Sequence, residues 1–150
     1  EVAQLAWGRL VSGNYFSVLG VKAAVGRTLA ADDERLAAIP VAVLAFECWK
    51  RQYDASPSIV GQVIDVNGVP VTIVGVAPAE FFGESVESQL ADLWLPMTLQ
   101  PRIMQRQSAL EDAEVNWLNL IGRLRPGITM SIRTTSGKSF SVAAIASRPF

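Results

Sequence analysis

The sequence predicts an α+β domain, a mixed sheet with helices packed on one side, and three observations carry that prediction. Val41 to Leu44 is a short apolar run rich in β-branched residues, the pattern of a buried strand. Phe46, Trp49 and Tyr53 follow at i, i+3 and i+7, which lays three aromatic rings along one face of a helix. Gly61 to Val76 then carries a hairpin signature. With 150 residues, half of them hydrophobic and 18% charged against a usual share of about 25%, the chain holds enough apolar surface to fold as one domain or two small subdomains sharing a core.

Taken in order, Gln4 to Val11 alternates loosely and reads as a strand, with Leu5, Trp7 and Val11 on one side. Ser12-Gly13-Asn14 offers turn and N-cap chemistry for a short helix, Tyr15 to Leu19, and Gly20 suits a left-handed C-cap. Phe16 and Leu19, three apart, are expected to face the core together. Val25-Gly26-Arg27 reads as a turn, and Asp32-Asp33-Glu34 as an acidic loop or first helical turn. Ser56-Pro57-Ser58 is expected to end the aromatic helix, because proline lacks an amide donor and disfavours helix before it.

The hairpin register follows from arithmetic. Asn67-Gly68 between valines is the preferred two-residue type I′ turn. It pairs Val66 with Val69, Asp65 with Pro70 and Ile64 with Val71. Ile64, Val66, Val69, Val71 and Ile73 then share one face, with Val63 the exception on the other. Leu93-Trp94-Leu95-Pro96 reads as a short strand stopped by proline. Leu99 to Glu114 contains mostly good helix formers interrupted by Pro101, and Asn116 to Leu124 reads as a last strand before the Arg125-Pro126-Gly127 turn.

The chemistry of the chain is narrow. Histidine is absent and Cys48 is the one cysteine, which excludes a Cys/His zinc site, an intrachain disulfide and a Ser-His-Asp or Cys-His arrangement within this chain. A net charge of −1 provides no overall basic field, so nucleic acid is not an expected partner. Residues 1–114 hold all 14 acids; residues 115–150 hold none and carry five bases, marking a different regime near the C-terminus. The most apolar window, Leu36 to Phe46, has eleven residues and contains Pro40, whereas a spanning helix needs roughly 18. The chain opens on Glu1 without a basic-then-apolar leader and reads as part of something longer.

Candidate motifs fall one by one. Gly137-Lys138-Ser139 copies the end of a phosphate loop, but Ile132 stands where its first glycine is required. Ser12 lacks the flanking glycines of a nucleophile elbow, Leu10 and Asn14 occupying those places. Asp32-Asp33-Glu34 lacks calcium-loop spacing and reads as a solvated loop. Glu84 and Glu87 read as a solvated face rather than a catalytic pair. The Phe46/Trp49/Tyr53 stripe reads as core. Phe81 and Phe82 are adjacent rings that must point in different directions, leaving one for contact with a partner or for a subdomain hinge. No catalytic, metal or cofactor residue emerges. The candidate partner contacts are Phe81, Phe82 and the hairpin tip at Asn67 and Gly68.

Five segments occur together in a telling order: VSGNYFSVLGV (Val11 to Val21) with GRTL (Gly26 to Leu29), PVAVLAFECWKRQY (Pro40 to Tyr53), SIVGQVIDVNGVPVTIVGVAP (Ser58 to Pro78), DLWLP (Asp92 to Pro96) and GRLRPGIT (Gly122 to Thr129). In this order and spacing the chain resembles the MacB-like periplasmic core domain of FtsX-type ABC transporter permeases. The resemblance implies a porter-like subdomain with a smaller inserted α/β subdomain near residues 79–115, the core domain covering 1–129. Residues 130–150 depart from the family pattern and are expected to form a divergent or partly disordered tail. It also implies a periplasmic location, anchored by flanking transmembrane helices outside this segment. Implied partners are those helices, an ATPase domain or subunit acting indirectly, and a periplasmic adaptor or cargo. A second copy of the chain, completing the sheet as a homodimer, is a further expectation. The implied function is non-catalytic: an export or lipoprotein-handling permease domain that transmits conformational change. The alternative is a freestanding extracytoplasmic solute-binding or sensory domain, which requires a concave apolar pocket.

Overall fold

The computed structural model describes residues 4–83, 90–112, 118–123 and 142–145. In chain order the elements are β1 (Gly8–Val11), α1 (Tyr15–Leu19), β2 (Val25–Gly26), β3 (Val41–Leu44), α2 (Phe46–Tyr53), β4 (Val63–Val66), β5 (Val69–Val76), β6 (Leu93–Pro96), α3 (Gln100–Met104), β7 (Leu120–Arg123) and β8 (Val142–Ile145). The fold is α+β with a mixed sheet, as the sequence predicts. The chain divides into two compact units, Glu1–Asp112 and Ala113–Phe150.

The first unit is built on one sheet of six strands, in the order β1-β6-β3-β5-β2, with β4 also on β5. β6 runs parallel to β1 and antiparallel to β3, while β3 runs parallel to β5. A parallel pair cannot be closed by a tight turn, and the chain between β3 and β5 accordingly passes through α2 and β4. β5 is bordered by β3 on one side and by β4 and then β2 on the other. Val41, Ala42, Val43 and Leu44 are all buried, as are Leu93, Trp94, Leu95 and Pro96. Strands covered on both faces read as continuous apolar runs, which is why both were visible in the sequence.

The hairpin adopts the deduced register, Val66↔Val69, Asp65↔Pro70 and Ile64↔Val71. Asn67 and Gly68 both take positive φ, 53° and 83°, as a type I′ turn requires. Val69, Val71 and Ile73 are buried, and Val63 is exposed. Further along β5 the register against β3 slips at Val74, since Ala42 pairs with Ile73 but Val43 with Gly75. This is a β-bulge, and it lets β5 bend where β2 joins it.

Several expectations need correction. The first strand spans Gly8–Val11 only; Leu5 and Trp7 lie outside it and are exposed. Val25-Gly26 is a short strand rather than a turn, paired with Val76 and Gly75. The pairing is glycine against glycine, because a Cβ on Gly75 would sit 2.1 Å from the Arg27 carbonyl oxygen and one on Gly26 2.3 Å from that of Val74. In α1 the buried residues are Tyr15 and Phe16, and Leu19 is only half-buried. Asn14 makes no side-chain cap; the turn closes through the Tyr15 N–H on the Ser12 carbonyl (3.0 Å). Helix α2 stops before Pro57: Asp54 and Ala55 both take positive φ, and the Asp54 N–H caps the Trp49 carbonyl. Pro101 opens α3 instead of interrupting it, being tolerated in a first turn where no amide partner is needed. The segment after Met104 leaves the helix through Gln105 in the left-handed conformation.

Within the span 79–115, the described strand β6 belongs to the main sheet. In the second unit β7 and β8 pair in parallel, Leu120 with Val142 through Arg123 with Ile145. Val142–Ile145 lies in the segment that the sequence leaves as a tail. Leu124, the Arg125-Pro126-Gly127 turn, Glu84, Glu87 and Gly137-Lys138-Ser139 lie outside the described residues.

The acidic loop is less solvated than its composition suggests. Asp33 receives two hydrogen bonds from Arg27, Nη1 to Oδ2 at 2.7 Å and Nη2 to Oδ1 at 2.9 Å, and the Ala30 N–H at 2.8 Å. This holds residues 27–33 together while Ala30 packs on Gly13, whose absent Cβ would lie 2.4 Å from the Ala30 oxygen. Burial alone would raise the Asp33 pKa, but the Arg27 hydrogen bonds, the Ala30 amide and the Arg27 charge hold it below the ordinary 3.8.

Two measurements check this packing. Gly75→Ala should cost more than about 2 kcal/mol in urea unfolding. Gly68→Ala has open space around it and should cost only about 1 kcal/mol from backbone strain. Equal losses would mean that β2 does not need the close approach. Because the folded pKa of Asp33 lies below its unfolded value, its contribution is present above the unfolded carboxylate pKa and is lost as pH falls through the folded one. Asp33→Asn should therefore lower stability at pH 7 by about 1 kcal/mol or less, Arg27 being half-exposed. The difference from the parent should vanish by about pH 2, and a difference unchanged from pH 7 to 2 would contradict it.

Candidate functional site

Trp94, in the middle of β6, is fully buried. Phe16 from α1 meets it edge-on, ring centres 5.7 Å apart, and Phe81 lies at 5.3 Å. Phe16 and Phe81 also touch each other at 5.6 Å, and Tyr15 borders both. Offset and edge-to-face contacts of this kind add about 0.5–1.5 kcal/mol per pair beyond simple burial. The indole Nε1 has no acceptor among the described residues, so ring packing must offset its desolvation.

This cluster decides between the two adjacent phenylalanines. Phe81 turns inward onto Trp94, helped by its N–H on the Pro78 carbonyl at 3.0 Å. Phe82 points outward and is 50% exposed. Together they form one wall of a small cleft of about 90 Å³, closed by Phe46 and Arg51 of α2, Leu90 and Asp92. Leu90 is also half-exposed, so the mouth of the cleft is apolar.

The hairpin tip lies elsewhere. Asn67 Nδ2 donates to the Ile103 carbonyl at 3.3 Å, and the Gly68 N–H donates to Asp65 Oδ1 at 2.8 Å. Asn67 and residues 103–106 line an open depression of about 620 Å³. The two candidate contact regions therefore belong to different depressions, and the hairpin tip is tied down by the end of α3.

The aromatic stripe of α2 is partly core: Trp49 is buried and its Nε1 donates to the Ser56 carbonyl at 2.8 Å, while Phe46 and Tyr53 are half-buried. Ser12 Oγ donates to Asn14 Oδ1 at 2.7 Å and serves the turn. Among the described residues no group of three His, Cys, Asp or Glu side chains is placed to hold a metal ion. No helix among them is long and apolar enough to cross a membrane.

Sequence reasoning missed one cluster. Arg51 Nη2 donates to Asp92 Oδ1 at 2.8 Å, and the Trp7 N–H donates to Asp92 Oδ2 at 3.0 Å. The available signal was an acid standing directly before a fully apolar strand, a place where a charge needs partners.

A family model described as the MacB-like periplasmic core domain matches residues 2–139. The chain belongs to the MacB-like periplasmic core domain family. It is 32% identical over 122 residues to the macrolide export ATP-binding/permease protein MacB of Salmonella paratyphi A, covering 79% of this chain and 17% of that protein. Against the protein of the same name from Escherichia coli strain K12 it is 32% identical over 125 residues, or 81% and 17%. The chain thus spans about a sixth of the length of these relatives. The crystal structure of the periplasmic region of MacB from Actinobacillus actinomycetemcomitans shares the fold, with a TM-score of 0.51 at 24% identity, covering 67% of this chain and 42% of that one. As a MacB-like periplasmic core domain, the chain is an extracytoplasmic transporter domain.

The lone thiol of this MacB-like domain is inert by position. Burial, then the Asp92 charge, pushes the Cys48 pKa up to about 11, with Arg51 offsetting only part. Native protein at pH 8 should therefore react with a thiol reagent at least about tenfold more slowly than urea-unfolded protein; equal rates would place Cys48 at the surface.

Proposed function

We propose that the domain works without catalysis in an ABC-type export or lipoprotein-handling permease, taking up conformational change from flanking transmembrane helices and touching cargo or an adaptor protein outside the membrane. ATP hydrolysis, in this reading, belongs to a separate cytoplasmic domain or subunit. The contact surface is the cleft mouth at Phe82 and Leu90.

The observation that supports this reading best is the size of that cleft combined with its apolar rim. Sites that enclose a small molecule measure about 300–1,000 Å³. About 90 Å³ accommodates one short aliphatic side chain of a partner polypeptide. The larger depression beside Asn67 is open to solvent and lined largely by exposed residues, which does not suit a freestanding solute-binding domain. Among the described residues the rim charges are paired, Arg51 with Asp92 and Glu47 with Lys50.

Phe82→Ser tests this. It should weaken binding of the adaptor or cargo at least about tenfold while shifting stability by no more than about 0.5 kcal/mol, as exposed substitutions do. Phe81→Ser should instead lose about 3 kcal/mol of stability, because it opens the ring cluster on Trp94. Unchanged binding by a folded Phe82→Ser protein would remove the proposed contact surface.

A further inference from the structure

We propose that Asp92 is a coupling residue: through it, displacement of the chain segment leading into β1 is passed to helix α2 and so to the Phe82 cleft. All four of its polar groups are engaged, two on each side. Toward the incoming segment, the Asp92 N–H donates to the Trp7 carbonyl at 2.7 Å and Oδ2 accepts the Trp7 N–H at 3.0 Å. Toward α2, the Asp92 carbonyl accepts the N–H of Ala45, the residue just before the helix, at 2.8 Å, and Oδ1 accepts from Arg51 in the last turn at 2.8 Å.

One residue therefore grips Trp7 and both ends of α2. No bond between Trp7 and α2 needs to exist for the two to move together. The Asp92 side chain is 15% exposed while its partners Arg51 and Trp7 lie open to water, and the carboxylate cannot turn toward one partner without leaving the other. The same residue and Arg51 line the cleft together with Phe82. Segment 4–7 is otherwise outside the sheet, and among the described residues this grip ties it down before β1 begins. Within the proposed permease, on which the functional meaning of this coupling rests, that segment is the stretch nearest the preceding membrane helix.

The test uses a residue that does not touch Trp7. In Arg51→Ala, amide hydrogen exchange followed by NMR should accelerate at Trp7 by about fivefold, with amides of Val43 and Ile73 in the sheet unchanged. Arg51→Lys should restore most of the protection at Trp7. Arg51 is 60% exposed, so its truncation leaves the core intact. An unchanged Trp7 rate would show that the two sides of Asp92 act independently and would overturn the proposal. Equal acceleration at Trp7, Val43 and Ile73 would mark general loosening and overturn it as well. These rates concern the chain alone, so they stand or fall separately from the permease reading, which the Phe82 binding test addresses.

Discussion

The position of β6 between β1 and β3 is the constraint on which the rest of the domain depends. Residues 93–96 pair with residues 8–11 on one side and with Val43 and Leu44 on the other, joining parts of the chain that are far apart in sequence. Without β6 the first strand has no partner among the described strands of the sheet. Trp94 secures the arrangement by giving α1 and the Pro78–Phe82 turn a common surface to pack on. A fully buried large side chain contributes about 1.5–3 kcal/mol, and here one indole ring organises three separate segments.

The candidate site is a consequence of that strand. Phe81 is drawn inward because Trp94 presents a ring to stack on, and its neighbour Phe82 is turned out by the geometry of adjacent residues. Asp92 stands where it does because it precedes Leu93, and its backbone is fixed by the start of β6. Among the described residues of the cleft, packing and hydrogen bonding account for the inward ring of Phe81, the buried thiol of Cys48 and the Arg51–Asp92 ion pair. Contact with another polypeptide at this site is the reading proposed above for this MacB-like core domain.

What could be read from the sequence was what is determined locally. The hairpin was legible because two residues with positive φ fix its register by themselves. α2 and the buried strands were legible from spacing and continuous apolar runs. β2 was not, since two residues become a strand only when Gly26 meets Gly75 across the sheet, and nothing local distinguishes that from a turn. The helix end at Tyr53 was legible but its cause was not: Asp54 and Ala55 close it in the left-handed conformation before Pro57 is reached. At the site, the sequence showed that Phe81 and Phe82 must diverge but not which one faces inward; Trp94 decides that. The Asp92 cluster was illegible for a plainer reason: its side-chain bonds span 85 and 41 residues of chain.

The central claim, an extracytoplasmic domain with an open contact surface at Phe82, meets its most direct test in cells carrying the whole gene product. With Cys48 buried, a Phe82→Cys substitution places one reactive thiol in this domain, at the mouth of the cleft. A maleimide that cannot cross the inner membrane should label position 82 in intact cells, and the parent domain should stay unlabelled. Labelling of position 82 only after the inner membrane is broken would contradict the account.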